Sequence, residues 1–268
     1  MRKKRSLFFI MILGMFLLAS CGMSGKQNAE ELPELKIGGA LYEPYFYMDV
    51  DGAYTGIDVE IAREACSRMG YKPVFVQMEL NQRDQFLEDG TIDCMWSCLS
   101  MDERRDGYLW AGPYLYSNRV VVVRDDDSYV KQLSDLEGKM IAVQANSTSE
   151  KIFLGQAEKQ VPQVSHIYTY RTIGEVFTAL RKGYVDAIAG HESALLIYTK
   201  EYPGEYRYLN MSIERAELGV AFEKNGDKKL AEKLTQVLNE MNADGTIKDI
   251  IEQYGLDAAK NIYGGTEE

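Results

Sequence analysis

Only two histidines, His166 and His191, occur in the 268 residues, and Cys94 and Cys98 lack the C-x-x-C spacing of zinc and redox sites. No metal and no cofactor is therefore expected. Phosphate-loop, GxSxG and HExxH patterns are missing as well. Basic residues are in deficit: 30 Lys and Arg stand against 41 Asp and Glu, for a formal net charge of −11. Four of those cations, Arg2, Lys3, Lys4 and Arg5, crowd into the first five positions, so the rest of the chain is more acidic still. Such a body repels a phosphate backbone, which excludes nucleic acid as a partner. Long apolar runs are lacking too. The one run, Leu7 to Leu18, falls short of the roughly 20 residues that span a bilayer.

What that run does fit is a secretory h-region behind a basic n-region. Leu18-Ala19-Ser20-Cys21 then resembles the lipobox of bacterial lipoproteins, whose cysteine is lipidated and becomes the first residue after cleavage. Residues 1–20 are read as a lipoprotein signal peptide and 21–33 as the lipidated Cys21 with a flexible tether. Two acyl chains suffice for stable anchoring where one is marginal. The expected location is the extracytoplasmic face of the cell membrane. Cys66, Cys94 and Cys98 remain, an odd number, and Cys66 and Cys94 read as small buried apolar residues.

With 46% hydrophobic residues the chain buries a full-sized core. Strands are expected at 35–39, 74–78, 92–96, 120–123, 140–143, 165–168, 185–189 and 218–222. Helices are expected at 58–69, 82–89, 148–159, 172–182, 192–200, 228–242 and 247–254, with Asp58 as a helix cap and Gly70 as a helix end. This alternation is the pattern of α/β sheets. A weak internal echo supports two similar units. Leu87-Glu88-Asp89-Gly90-Thr91-Ile92-Asp93-Cys94-Met95 and Leu180-Arg181-Lys182-Gly183-Tyr184-Val185-Asp186-Ala187-Ile188 share a helix end, a glycine and a short strand opening on aspartate. The loops after those strands leave carboxyl ends, where open α/β sheets bind ligands.

Seven segments then carry a family resemblance: LKIGGALYEPYF (35–46), GAYTGIDVEIAREACSRMG (52–70), GTIDCMWSCLSMDERR (90–105), WAGPYLYSNRVVVV (110–123), GKMIAVQANSTSEK (138–151), GYVDAIAGHESAL (183–195) and MNADGTIKDIIEQYG (241–255). In that order and spacing the chain resembles the family 3 extracellular solute-binding proteins of polar amino-acid ABC transporters. The resemblance implies a type II periplasmic-binding-protein fold, two α/β lobes joined by two hinge strands with the ligand cleft between. Residues 34–118 and 219–268 would form lobe 1, and 119–218 lobe 2 with the hinge segments.

The resemblance also implies site residues. Arg105 falls where the family grips the ligand's α-carboxylate, and guanidinium geometry suits a bidentate contact. Its neighbour Arg104 reads as a surface residue. Ser100 and Cys98 fall where hydroxyls and backbone groups meet the ligand, and Ser147 and Thr148, after Asn146, where a second-lobe turn completes the carboxylate site. Tyr42 and Leu80 match side-chain walls; Trp96, Tyr45 and Tyr47 are either wall or core. The family's carboxylate for the ligand ammonium falls at His191, and the acid is instead Glu192. Either Glu192 reaches into the cleft or the ligand is not a standard α-amino acid.

The implied function is capture of an amino acid by hinge closure and delivery to a membrane permease powered by a separate ATPase. The protein is expected to act as a monomer and not as an enzyme. Two alternatives stand beside it: a cyclohexadienyl dehydratase-like enzyme using Glu192 and His191 as an acid pair, and a ligand-sensing module for a membrane receptor.

Overall fold

A computed structural model describes residues 31–262 apart from 103, 158 and 160; the signal peptide and Cys21 lie outside the described residues. Strand β1 (Glu34–Gly39) leads through a hairpin, β2 (Tyr47–Met48) with β3 (Tyr54–Thr55), into helix α1 (Ile57–Met69) and β4 (Lys72–Gln77). A 3-10 turn at Leu80–Gln82 and helix α2 (Arg83–Glu88) precede β5 (Cys94–Met95) and the long β6 (Leu109–Arg124). A second run follows: β7 (Met140–Gln144), α3 (Thr148–Phe153), β8 (His166–Tyr170), α4 (Ile173–Arg181), β9 (Ala187–His191), α5 (Glu192–Glu201) and β10 (Tyr206–Tyr208). Strand β11 (Glu214–Phe222) and helices α6 (Lys228–Ala243), α7 (Thr246–Gln253) and α8 (Ala258–Asn261) complete the described chain.

One sheet runs through the body in the order β4-β1-β5-β11-β6-β9-β7-β8, with β10 also on β6. Its two ends are built alike. β1 pairs in parallel with β4 and β5, and β7 pairs in parallel with β8 and β9. Between them, antiparallel β6 and β11 carry the sheet from one half to the other. Leu109–Arg119 of β6 faces β11, and Arg119–Val123 faces β9.

Because side chains alternate along a strand, a sheet covered on both faces reads as an uninterrupted apolar run. The run Val120 to Val123 shows this. Val120 and Val122 pack with Ile173, Val176 and Phe177 on one face, whereas Val121 and Val123 pack with Ile141, Val143 and Ile152 on the other. In the first half, Leu35, Ile37 and α1 join α6 and α7 on one face, and Met78, Leu87, Ile92 and Met95 fill the other.

The internal echo has a physical counterpart. In the first copy Asp93 exchanges two bonds with Lys36: its N–H donates to the Lys36 carbonyl, and its Oδ2 accepts the Lys36 N–H at 2.7 Å. Asp186 does the same with Met140, its Oδ2 accepting that N–H at 2.8 Å. Each aspartate thereby ties the third strand of its set to the first. Gly90 and Gly183 precede them in the left-handed region at φ 73° and 72°, a conformation glycine adopts without penalty.

Several elements differ from the sequence expectation. The helix expected over 148–159 stops at Phe153, because Gly155 turns left-handed at φ 68° and ends it. The strand expected at 120–123 is the end of the 16-residue β6. Asp58 is not a helix cap. It lies inside α1, whose N-cap is Gly56, and its carboxylate is buried beneath the loop after β5.

Candidate functional site

The carboxyl ends of β1, β5, β7 and β9 and the loops that leave them converge on one cavity of about 50 Å³ between the two halves of the sheet. From the first half come Ala40 and Tyr42 after β1, Leu80 from the 3-10 turn, and Cys98 and Ser100 after β5. The second half supplies Ser147 and Thr148 at the start of α3 and His191 at the end of β9. These are seven of the nine expected ligand-binding residues, together with Ala40. The other two, Arg105 and Glu192, do not line the cavity.

Local backbone geometry sets the floor. After β5 the chain turns sharply with Cys98 in the left-handed region at φ 48°, an unusual place for a side chain other than glycine or asparagine. The turn is held by Asp58: Oδ2 accepts the Cys98 N–H at 2.6 Å and Oδ1 accepts the Tyr114 hydroxyl at 2.7 Å. Burial outweighs those two donors and pushes the Asp58 carboxyl up to about 7. Ser97 Oγ donates to the Ala40 carbonyl at 2.8 Å, and Ser100 bridges to Leu218, so the loop is bound to both β1 and β11. Across the cavity Asn146 takes the left-handed position at φ 60°, and the Ser147 hydroxyl caps α3 by accepting the Glu150 N–H.

Three guanidinium groups enter the wall: Arg83, Arg104 and Arg119. Arg119, on β6, is 2% exposed. Its Nε–H donates to Glu214 Oε2 at 3.2 Å and its Nη1 to Ser149 Oγ at 3.2 Å, while Nη2 is buried without a partner among the described residues. Arg83 donates from Nε to the Tyr108 hydroxyl at 3.2 Å.

Of the tandem Arg104-Arg105, the cavity wall includes Arg104 and not the expected Arg105. Arg104 lines both the cavity and an outer groove. Arg105 is 53% exposed at its side chain, donates to Glu217 and lines that outer groove with Lys224 and Asp106. Arg119 and Arg83 were not singled out from the sequence. The available signal was Arg119 itself, one cation set directly before four valines on a buried strand.

His191 is buried. Its Nδ1 shares a hydrogen bond with Ser117 Oγ at 2.9 Å, and its backbone N–H donates to the Tyr42 hydroxyl at 3.2 Å. Burial, then the positive fields of Arg119 and Arg104, hold the imidazole neutral by pushing its pKa well below the usual 6.5. Ser117 and Ser193 stand 3.4 Å apart, and Ser193 Oγ meets the Tyr45 hydroxyl at 2.6 Å, so a chain of hydroxyls joins the two halves behind the cavity. Glu192 points elsewhere and accepts from Asn118 Nδ2 at 3.1 Å. Trp96 and Tyr45 belong to the core, fully buried. Cys66, Cys94 and Cys98 are buried free thiols.

The model of the bacterial extracellular solute-binding proteins, family 3, matches residues 35–257. The chain belongs to that family. Among its relatives, the "Probable amino-acid-binding protein YxeM" of Bacillus subtilis (strain 168) is 26% identical, over 95% of this chain and 96% of that one. The "L-cystine-binding protein TcyJ" of Escherichia coli (strain K12) is 27% identical, over 89% of this chain and 92% of that one. A solved structure titled "An ancestral arginine-binding protein bound to arginine" superposes with a TM-score of 0.73 at 27% identity, covering 82% of this chain and 97% of that one. The fold is thus the type II periplasmic-binding-protein fold, and the relatives are named as binding proteins. Among the described residues no helix is long and apolar enough to cross a membrane, and no group of three or more His, Cys, Asp or Glu is placed to hold a metal ion.

Proposed function

We propose that this protein is the capture component of an ABC importer, taking up an amino acid outside the cytoplasmic membrane and presenting it to a membrane permease driven by a separate ATPase. One observation carries the reading: Arg119 Nη2 is buried and unpartnered in the wall of a cavity flanked by hydroxyls, at the carboxyl ends of both parallel strand sets. A guanidinium so placed holds a carboxylate strongly, because water does not compete for it. The amino-acid class comes from the names of the relatives.

The ligand carboxylate meets Arg119 with Arg104 beside it. Ser100, Ser147 and Thr148 offer hydroxyls, Cys98 offers shape, and Tyr42 and Leu80 form walls. Residues 34–118 with 219–268 act as one lobe and 119–218 as the other, joined where β6 and β11 cross. The cavity holds a few waters, at on the order of 10–15 Å³ of such space per water. Entry of an amino acid therefore requires the lobes to part, and closure turns ligand binding into a shape that a permease recognises. Cys21 anchors the protein by its lipid on the extracytoplasmic face, and it works as a monomer without catalysis. A dehydratase needs a cleft acid, and Glu192 is bonded to Asn118 outside the cavity wall.

A thermal-shift screen against amino acids and their derivatives tests the reading. A ligand at about 100 times its Kd adds about 2.7 kcal/mol of stability, a visible rise in Tm. The rise is expected to vanish in Arg104→Ala and persist in Arg105→Ala. If no amino acid or derivative raises the Tm, the capture reading is wrong.

A further inference from the structure

We infer that the ligand is an amino acid carrying net negative charge, either a dicarboxylic amino acid or one whose nitrogen is acylated. The inference rests on the capture reading and adds the charge of what is captured. Its ground is an imbalance in the cavity wall. Arg83, Arg104 and Arg119 all line the cavity, and no Asp or Glu among the described residues does. The remaining titratable side chains of the wall supply no anion: His191 is neutral, and burial raises the Tyr42 and Cys98 groups far above their ordinary values.

Among the described residues, acids around the wall are engaged behind or beside it. Asp102 accepts the Ser100 hydroxyl at 3.4 Å and the Glu217 N–H at 3.1 Å. Asp58 accepts the Cys98 N–H and the Tyr114 hydroxyl under the floor. Glu214 holds Arg119 from the side of β11. Glu150 accepts the Asn146 N–H, and Asp84 sits 3.7 Å from Arg83. Glu79, in the adjoining mouth, is paired with Arg171 across the gap between the halves. Glu192 accepts from Asn118.

A zwitterion buried here has a matched site for its carboxylate and none for its ammonium. The ammonium faces guanidinium groups and neutral dipoles, and a buried charge left without a partner is strongly disfavoured. A second carboxylate on the ligand gives the wall another anion to hold, and acylation of the nitrogen removes the unmatched cation. Both changes move the ligand's charge in the direction the wall requires. Selectivity for charge arises as much from the repulsion of the wrong ligand as from attraction of the right one.

Calorimetric titration of the mature protein with isosteric pairs tests this: L-glutamate against L-glutamine, L-aspartate against L-asparagine, and N-acetyl-L-alanine against L-alanine. The anionic member of at least one pair is expected to bind about tenfold tighter or better, with the difference shrinking as salt screens the charges. The glutamate and N-acetylalanine arms separate the two sources of negative charge. In His191→Asp, which places a carboxylate in the wall, the preference is expected to fall about tenfold or more toward the neutral zwitterion. Neutral or cationic amino acids binding as tightly as the anionic ones overturns the inference and leaves capture standing, as does an unchanged preference in His191→Asp. Binding of no member of the panel also overturns the inference, and the capture reading itself fails only if the full amino-acid screen raises no Tm.

Discussion

Arg119 and Glu214 are directly opposed across the β6–β11 pair, and they form a buried ion pair, Nε to Oε2 at 3.2 Å. Two charges are thereby held at the point where the sheet passes from one half to the other. One guanidinium nitrogen of Arg119 bonds Glu214, one bonds Ser149, and the third is buried without a partner among the described residues.

Breaking this pair from one side strands a buried charge. Glu214→Gln is expected to lower the stability to urea by about 3–5 kcal/mol. The double variant Arg119→Met/Glu214→Gln is expected to recover part of that loss while binding no ligand. A double variant less stable than Glu214→Gln contradicts the assignment.

The tandem arginines are expected to separate by function. Arg104→Ala is expected to weaken ligand binding by about 2–5 kcal/mol, the usual cost of removing one partner of a buried charge contact. Arg105→Ala is expected to leave binding intact and to change stability by no more than about 1 kcal/mol, because its pairs with Glu217 and Asp102 are open to solvent. Calorimetry and urea unfolding on the two variants check both statements, and the reverse order of effects on binding refutes them.

Asp58 and His191 tilt stability with pH in opposite directions. The Asp58 carboxyl, pushed up to about 7 by burial, keeps its proton where the unfolded chain has lost it. From about pH 4 to 7 its contribution therefore falls as pH rises, by up to about 1.4 kcal/mol per pH unit. His191 is pushed well below 6.5, so the unfolded chain takes up a proton that the folded one refuses. Its contribution is present above about pH 6.5 and is lost on acidification. Relative to the unsubstituted protein, Asp58→Asn should gain stability as pH rises and His191→Gln as pH falls. Urea unfolding of the three proteins across that range reads the two slopes, and slopes of the same sign contradict the account.

Much of the scaffold was legible because it follows local rules. The period of α4 and α6, the glycine ends at Gly70, Gly90 and Gly183, and the repeated aspartates Asp93 and Asp186 all appear as short-range patterns. The site was legible in part. Tyr42, Leu80, Cys98, Ser100, Ser147, Thr148 and His191 do meet at one cavity. The cations were not, since which member of Arg104-Arg105 turns inward depends on how the loop is pinned to β11 through Met101 and Ser100. Arg119 escaped notice because its partner Glu214 is 95 residues away in sequence and adjacent only once the sheet forms. The ammonium question was posed by His191 and Glu192 in sequence, but the direction of the Glu192 side chain is a property of its bond to Asn118.

The most direct measurement is a structure determined with the tightest-binding compound of the ligand panel. The account predicts a carboxylate within hydrogen-bond distance of Arg119 Nη2, with the ligand enclosed by Tyr42, Leu80 and Ser147 and with Arg105 still on Glu217. A ligand whose carboxylate sits on Arg105, or one bound outside this cavity, contradicts it.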